Sequence, residues 1–142
     1  AGVVDFFSAL ADDKKVAMSI EGTATVDADR ALLRRALGNL VANALQFTAP
    51  GGSIRIVIQP SLDATTIAVR DNGSGIEPRH LPHLFDRFYR ADESRARNAE
   101  GTGLGLAIVR SIVGLHGGTV EVESEPGRGS AFGMRFPKMT KL

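Results

Sequence analysis

Residues 27–52, DADRALLRRALGNLVANALQFTAPGG, decide how the chain folds, because a long run of apolar residues here keeps a helical spacing. Asp27 or Asp29 is suited to cap the helix at its start, and Pro50-Gly51-Gly52 ends it after about Thr48. The apolar positions are Leu32, Leu33, Ala36, Leu37, Leu40, Val41, Ala44 and Leu45. Their three- and four-residue spacing predicts an amphipathic helix with one face in the core.

Strand patterns lie on both sides of this helix. Residues 15–21 alternate between apolar and polar side chains, and residues 3–13 predict a short amphipathic helix before them. After the long helix, a loop around residues 61–64 separates two alternating stretches. Ile54, Ile56 and Ile58 share one face of the first, and Thr65, Ile67 and Val69 share one face of the second.

The second half contains a long polar segment, a helix and a hairpin. Residues 72–100 are too long for an ordinary connector, and such loops are usually functional lids, so we expect a flexible lid at about residues 77–100. An apolar helix opens at Gly103 and ends near His116, before Gly117-Gly118. Residues 119–124 and 130–136 then predict a hairpin.

The order of these segments indicates the fold class. Strands arrive in adjacent pairs rather than in strict alternation with helices, which favours a mixed sheet with helices on one face. We therefore predict an α/β two-layer sandwich. The 142 residues fit one domain, residues 1–142.

Composition excludes several function classes. The chain has no cysteine, which excludes a disulfide framework and a thiolate metal site. Its 17 basic and 16 acidic residues leave no net field to attract nucleic acid. No apolar run approaches the ~20 residues of a membrane helix, so we expect no membrane contact by this domain.

A glycine loop precedes the second helix. Gly101–Leu106, GTGLGL, fails as a dinucleotide fingerprint, since its sixth residue is leucine and no strand precedes it, and it lacks the lysine of a P-loop. Backbone N–H groups at a helix start can nevertheless bind phosphate. A lid hinge without a ligand explains the same residues equally well.

An acidic turn follows the second strand of the first pair. In Asp71-Asn72-Gly73-Ser74-Gly75, a carboxylate at a strand end suits the exocyclic amine of adenine and would repel the carbonyl of guanine. A tight turn that Asp71 caps locally is the alternative.

Polar residues also mark one face of the long helix. Asn39, Asn43 and Gln46 are spaced i, i+4 and i+7, although asparagine is a poor residue inside a helix. A carboxamide oxygen can hold Mg²⁺. A position at the solvent border would explain them without a ligand.

Large apolar residues within the lid indicate that part of it docks. They lie in Leu84–Arg90, LFDRFYR, where Arg87 and Arg90 could reach a triphosphate. His80 and His83 have no third metal ligand nearby in sequence, and His116 stands at a helix end, where histidine favours the dipole.

These motifs together resemble the catalytic, ATP-binding domain of bacterial two-component sensor histidine kinases. Asn39–Thr48, Asp71–Ile76, Phe85–Arg90 and Gly101–Leu106 are similar to its N, G1, F and G2 boxes. Ser124–Phe132, SEPGRGSAF, is similar to its usual ending, and Asp29–Asn43 to the heavy-metal-responsive subgroup. The resemblance covers residues 3–137.

The resemblance implies the GHKL (Bergerat) fold of histidine kinases, Hsp90, gyrase and mismatch-repair ATPases, with ATP and Mg²⁺ as cofactors. Asn43 would bind Mg²⁺, Asp71 would take the adenine amine, and Arg90 with Arg87 would meet the γ-phosphate. Ser130 would join the water network around adenine. The other nucleotide contacts would be Gln46, Phe47, Gly73, Gly75, Ile76, Gly101, Thr102, Gly103, Leu104, Gly105 and Leu106.

Two positions differ from the usual family residues, and a third distinguishes kinases from related ATPases. The family usually has a basic residue at Gln46 and an aromatic hydroxyl at Phe47, so we expect modest ATP affinity. Related ATPases have a water-activating glutamate at Asn39. Asn39, a candidate catalytic residue with Arg87 and Arg90, cannot be that base, so slow ATP hydrolysis is expected.

The resemblance also implies partners. No segment resembles the phospho-accepting histidine region, so the chain would donate the γ-phosphoryl group of ATP to a histidine on a separate dimerisation domain of the same kinase. A response regulator would act downstream. The isolated domain would be monomeric, a cytoplasmic part of an inner-membrane sensor kinase. The alternatives are a degenerate nucleotide-binding regulatory module and a serine-directed kinase of the anti-sigma-factor type.

Overall fold

The computed structural model describes residues 9, 11–24, 26, 28–86 and 105–138. The helices are α1 (Arg30–Phe47), a 3-10 helix (Pro78–His83) and α2 (Gly105–Leu115). The strands are β1 (Ala17–Glu21), β2 (Ser53–Pro60), β3 (Ala64–Asp71), β4 (Thr119–Glu125) and β5 (Gly129–Pro137). None of the described helices combines the length and the apolar character needed to cross a bilayer.

The long helix forms as its sequence predicts. Asp29 is the cap, and its Oδ1 accepts a hydrogen bond of 3.0 Å from the backbone N–H of Leu32. At the other end, the hydroxyl of Thr48 donates to the carbonyl of Ala44 over 2.7 Å, and the chain then turns at residues 49–52. The other candidate cap, Asp27, lies outside the described residues.

The strands form one mixed sheet with the order β1-β2-β3-β5-β4. β1 runs parallel to β2, and the other neighbours are antiparallel. Ile56 pairs with Val69, Val69 with Phe132, and Phe132 with Val122, so these side chains share one face. The predicted mixed sheet is confirmed.

The core lies between this sheet face and the two α-helices. Leu40 and Val41 of α1 and Val109 and Val113 of α2 are buried in one cluster with the inward strand residues. Burying each such side chain is worth about 1.5–3 kcal/mol, and this apolar contact holds the helices on the sheet. The opposite sheet face carries exposed arginines and glutamates.

His116 joins the far ends of the two helices. The backbone N–H of Asp29 donates to its Nε2 over 3.0 Å, and its Nδ1 lies 2.8 Å from the carbonyl oxygen of Ile112. His116 stands at the end of α2 as the sequence predicts, and its ring also forms a hydrogen-bond bridge between α2 and the start of α1.

The ends of three predicted segments fall outside the described residues. Of the helix predicted at residues 3–13, the described residues 9 and 11–14 are helical. The lid is described from residue 77 to Asp86. The second long helix is described from Gly105, so its predicted start at Gly103 remains a prediction.

Candidate nucleotide-binding site

Asp71, the last residue of β3, lies where the sheet ends beneath α1. Its Oδ1 accepts a 2.9 Å hydrogen bond from the N–H of Gly73, and the N–H of Ser130 also donates to the carboxylate. Burial raises the pKa of Asp71, and the two N–H donors oppose that shift. The local-turn interpretation is thus correct for Gly73. Since a carboxylate has about four lone-pair sites, it can accept from a ligand as well.

The two glycines after Asp71 pack against protein backbone. A Cβ on Gly73 would stand 2.3 Å from the carbonyl oxygen of Phe47. One on Gly75 would stand 2.1 Å from the carbonyl oxygen of Glu125, and Gly75 has a φ of +73°. The close approach that these glycines permit is therefore an approach between parts of the chain. Their contact with an adenine ring stays a prediction.

The β4–β5 hairpin supports the loop from its other side. The hydroxyl of Ser124 accepts from the N–H of Ile76 over 2.7 Å and lies 2.9 Å from the hydroxyl of Ser130. Ser130 is buried and pairs directly with Asp71 across the strands. Sequence reasoning identified Ser130 and Ile76 but missed Ser124. The signal was available, because Ser124 follows Val120 and Val122 at the inward positions of β4.

The polar face of α1 meets the start of α2 and the Asp71 loop. The side-chain amide of Asn39 donates to the carbonyl of Gly105 over 3.2 Å. The carbonyl of Phe47 accepts from the N–H of Ser74 over 3.3 Å. Both Gln46 and Phe47 are half-buried. The helix thus brings Phe47 to the Asp71 loop and Asn39 to the start of α2.

Asn43 has the one buried side-chain polar atom that lacks a hydrogen-bond partner among the described residues, its Nδ2. Buried polar atoms without a hydrogen-bond partner are rare in folded proteins, and a bound ion or water often supplies the partner. The oxygen and nitrogen of a carboxamide can be exchanged by turning the amide about. In that orientation the unpaired atom is an oxygen, the ligand that Mg²⁺ prefers. Asn43 therefore fits a magnesium ion.

The first part of the predicted lid packs onto the domain. Leu84 and Phe85 are buried, and the Phe85 ring meets Phe132 edge to face at 6.2 Å. The Oδ1 of Asp86 lies 3.7 Å from the guanidinium of Arg110 on α2, and its Oδ2 lies 3.1 Å from Nδ1 of His83. The expected docking is confirmed for this part. Of the other lid and loop residues, Arg87, Arg90, Gly101, Thr102, Gly103 and Leu104 lie outside the described residues.

Gly105 and Leu106 are the first described residues of α2. A Cβ on Gly105 would meet nothing within 4 Å among the described residues, and Leu106 is half-buried against the core. An open groove of about 740 Å³ lies at the end of the strands where Asp71, Ser124 and Ser130 stand. Its lining also includes the exposed Arg55, Arg70 and Glu123 and, among the described residues, none of α1 or α2.

Comparison with known proteins places this geometry among ATPase-fold domains. The profile of the family "Histidine kinase-, DNA gyrase B-, and HSP90-like ATPase" matches residues 28–140. The chain is 47% identical over 135 residues to the sensor protein IrlS of Burkholderia pseudomallei, covering 95% of the chain and 29% of that protein. It is 48% identical over 136 residues to the sensor histidine kinase CusS of Escherichia coli K12, with 95% and 28% covered. The chain thus spans less than a third of these relatives' length.

Solved structures give the same result. The catalytic domain of histidine kinase ThkA superposes with a TM-score of 0.82 at 28% identity, covering 96% of this chain and 90% of that one. The mycobacterial sensor histidine kinase MprB gives 0.80 at 26%, with 96% and 93% covered. Full-length ShkA in complex with AMPPNP gives 0.83 at 28%, with 99% and 29% covered.

Proposed function

The chain belongs to the family of histidine kinase-, DNA gyrase B- and HSP90-like ATPases, and on that premise we propose that it binds ATP with Mg²⁺ and donates the γ-phosphoryl group to a histidine. That histidine would stand on the dimerisation domain of the same two-component sensor kinase. Two relatives that are 47% and 48% identical to the chain are a sensor protein and a sensor histidine kinase, which supports the proposal.

The position of Asp71 carries the proposal. Its carboxylate stands at the strand end, half-buried, with two backbone donors on it and acceptor capacity left over. The exocyclic amine of adenine would donate a hydrogen bond to the Asp71 carboxylate, whereas the carbonyl oxygen of guanine would be repelled by that carboxylate. Partial burial strengthens this discrimination, because water competes less for the carboxylate.

The phosphates would extend from the base toward the start of α2. Asn43 would hold Mg²⁺, which when bound neutralises phosphate charge. The N–H groups around Gly101–Gly105 and the positive end of α2 would bind the phosphate oxygens. Arg90, with Arg87, would stabilise the charge that develops on the transferring group. The roles of the two arginines and of Gly101–Leu104 rest on the resemblance alone.

Asn39 argues for transfer to a protein rather than to water. Its side chain donates to the Gly105 carbonyl, and a carboxamide does not act as a general base. The domain would therefore hold ATP long enough for an acceptor histidine to reach it. A response regulator would then take the phosphoryl group. We place the parent protein in the inner membrane with this domain on its cytoplasmic side.

Two measurements test the proposal. Titration of the ¹⁵N-labelled protein with ATP and Mg²⁺ should shift the amide signals of Asp71, Asn43 and Gly105, and GTP should not. Addition of the acceptor domain of the same kinase, made separately, should give acid-labile phosphohistidine. Amide signals that stay in place at millimolar ATP would refute nucleotide binding. Binding without phosphohistidine would favour the degenerate regulatory module instead.

A further inference from the structure

Ser124 holds three partners with one hydroxyl group. Its oxygen accepts from the N–H of Ile76 over 2.7 Å, and it lies 3.0 Å from the carbonyl of Gly129 and 2.9 Å from the hydroxyl of Ser130. It is half-buried and lies near the end of β4, on the strand face that points toward the core. The role proposed for Asp71 does not account for this convergence.

The bond to Ile76 fixes the far end of the Asp71 loop. Two more contacts join that loop to the hairpin turn: the N–H of Gly127 donates to the carbonyl of Ser74 over 2.8 Å, and Gly75 packs on the backbone of Glu125. These two use backbone atoms and glycine. Between the Asp71 loop and the hairpin, the Ser124 hydroxyl makes a hydrogen bond through a side chain.

The bond to Ser130 sets what Ser130 can offer. A serine hydroxyl has one proton and two lone pairs. If Ser124 donates to Gly129, Ser130 can donate to Ser124 and present only lone pairs to a ligand. If Ser124 donates to Ser130, the Ser130 proton becomes available to a ligand or a water. Ser130 stands beside Asp71 in the register, so this choice is made next to the proposed base site.

We infer that Ser124 is a positioning residue for purine recognition, which rests on the proposed nucleotide binding. It acts through two neighbours. It holds Ile76 and thereby the loop that orients Asp71, and it lets Ser130 present a donor or an acceptor to the edge of the base. The 6-amino group of adenine is a donor, and the neighbouring ring nitrogen is an acceptor. The corresponding groups of hypoxanthine have the reverse pattern, so loss of Ser124 should reduce the preference for adenine.

The test compares Ser124→Thr with Ser124→Val. The two side chains have nearly the same shape and both suit a strand, so they differ in the hydroxyl. Calorimetry would measure the affinities for ATP and inosine triphosphate in the presence of Mg²⁺. We expect Ser124→Val to bind ATP about tenfold more weakly, because the buried Ile76 N–H loses its acceptor. Its ratio of ATP to inosine triphosphate affinity should also fall, and Ser124→Thr should restore both quantities.

Two readouts separate this inference from other causes. Amide exchange at Ile76 should accelerate in Ser124→Val and not in Glu121→Ala, whose exposed side chain lies on the opposite face of β4. Equal ATP affinity and equal base discrimination in the Thr and Val variants would overturn the role of Ser124. Failure of the unmodified protein to bind ATP would overturn the proposed function itself, and that result is visible before any variant is made.

Discussion

The side-chain amide of Asn39 on α1 donates a 3.2 Å hydrogen bond to the carbonyl oxygen of Gly105, the first residue of α2. The bond joins the helix that carries Asn43 to the helix that follows the glycine loop. It thereby fixes the start of α2 relative to the proposed magnesium ligand. From the sequence, Asn39 was of interest because it lacks the carboxylate that related ATPases have at this position. The structure shows in addition that its side chain binds the Gly105 carbonyl.

Removing this bond should weaken nucleotide binding. Asn39→Ala deletes the donor and should lower ATP affinity about two- to tenfold, the range of a typical net hydrogen bond. Asn39→Asp should lower it further, because a carboxylate oxygen would face the Gly105 carbonyl. Calorimetric titration with ATP and Mg²⁺ measures both effects.

The control for Asn39 is Arg35→Ala, an exposed position on the same helix. It should bind ATP as the unmodified protein does. If Asn39→Asp also keeps full affinity, the bond to Gly105 does not position the phosphate-binding end of α2.

Asp71 should trade stability for recognition. Burial raises the pKa of its carboxyl, so the folded state favours the protonated form. Ionisation of Asp71 therefore lowers the free energy of unfolding. This loss is absent below the unfolded pKa of 3.8 and complete once the pH exceeds the folded pKa. We expect Asp71→Asn to be at least as stable as the unmodified protein at pH 7 and to lose ATP binding, since an amide NH₂ would face the adenine amine.

Thermal unfolding against pH checks the sign of this effect. The stability advantage of Asp71→Asn should shrink as the pH falls through the raised pKa and vanish near 3.8. ATP affinity of the unmodified protein should begin to fall at a higher pH than an ordinary aspartate would give. A variant that is equally destabilised at every pH would show that the carboxylate stabilises the turn instead.

The secondary structure could be predicted because many residues report it. Eight apolar residues set the face of α1, and alternation along β2 and β3 sets the face of the sheet. The cap at Asp29 is local and could also be named. The parallel pairing of β1 with β2 could not, because the pattern of a strand does not specify its neighbour.

Asp71 and Asn43 could be named as candidate site residues because residue type and spacing carry the chemistry, and their contacts with ATP and Mg²⁺ stay predictions. The hydrogen bond from Ile76 to Ser124 spans 48 residues, and the bond from Asp29 to His116 spans 87. Contacts of that range depend on the register of the sheet and the placement of the helices, which local periodicity does not contain. For the same reason the sequence could not show that Gly73 and Gly75 approach protein backbone.

Gln46 stands three residues after Asn43, where the family usually has a basic residue. Gln46→Lys would place a cation at the half-buried end of α1 near the proposed phosphates. An exposed charge pair is worth about 0.2–1 kcal/mol, so ATP affinity should rise up to about fivefold. Calorimetry at two salt concentrations measures it, and the gain should be smaller at high salt.

Gln46→Met is the matched control, because it keeps the length of the side chain without a charge. It should bind ATP no better than the unmodified protein. If Gln46→Lys gives no gain at low salt, the side chain at position 46 does not face the phosphates.

Lys15 and Gly117 occupy the same position in two helix-ending motifs. Val16 N–H donates to Ala11 and Lys15 N–H to Asp12, and the same pattern joins Gly118 to Val113 and Gly117 to Gly114. Lys15 has a φ of 61° and Gly117 of 73°, the left-handed region where a side chain costs about 1 kcal/mol. Lys15→Gly should therefore raise the free energy of unfolding by about 1 kcal/mol, and Gly117→Ala should lower it by a similar amount. Chemical denaturation measures both. Lys15→Ala, which keeps the Cβ, should change little, and if it stabilised the domain as much as Lys15→Gly, the backbone explanation would be wrong.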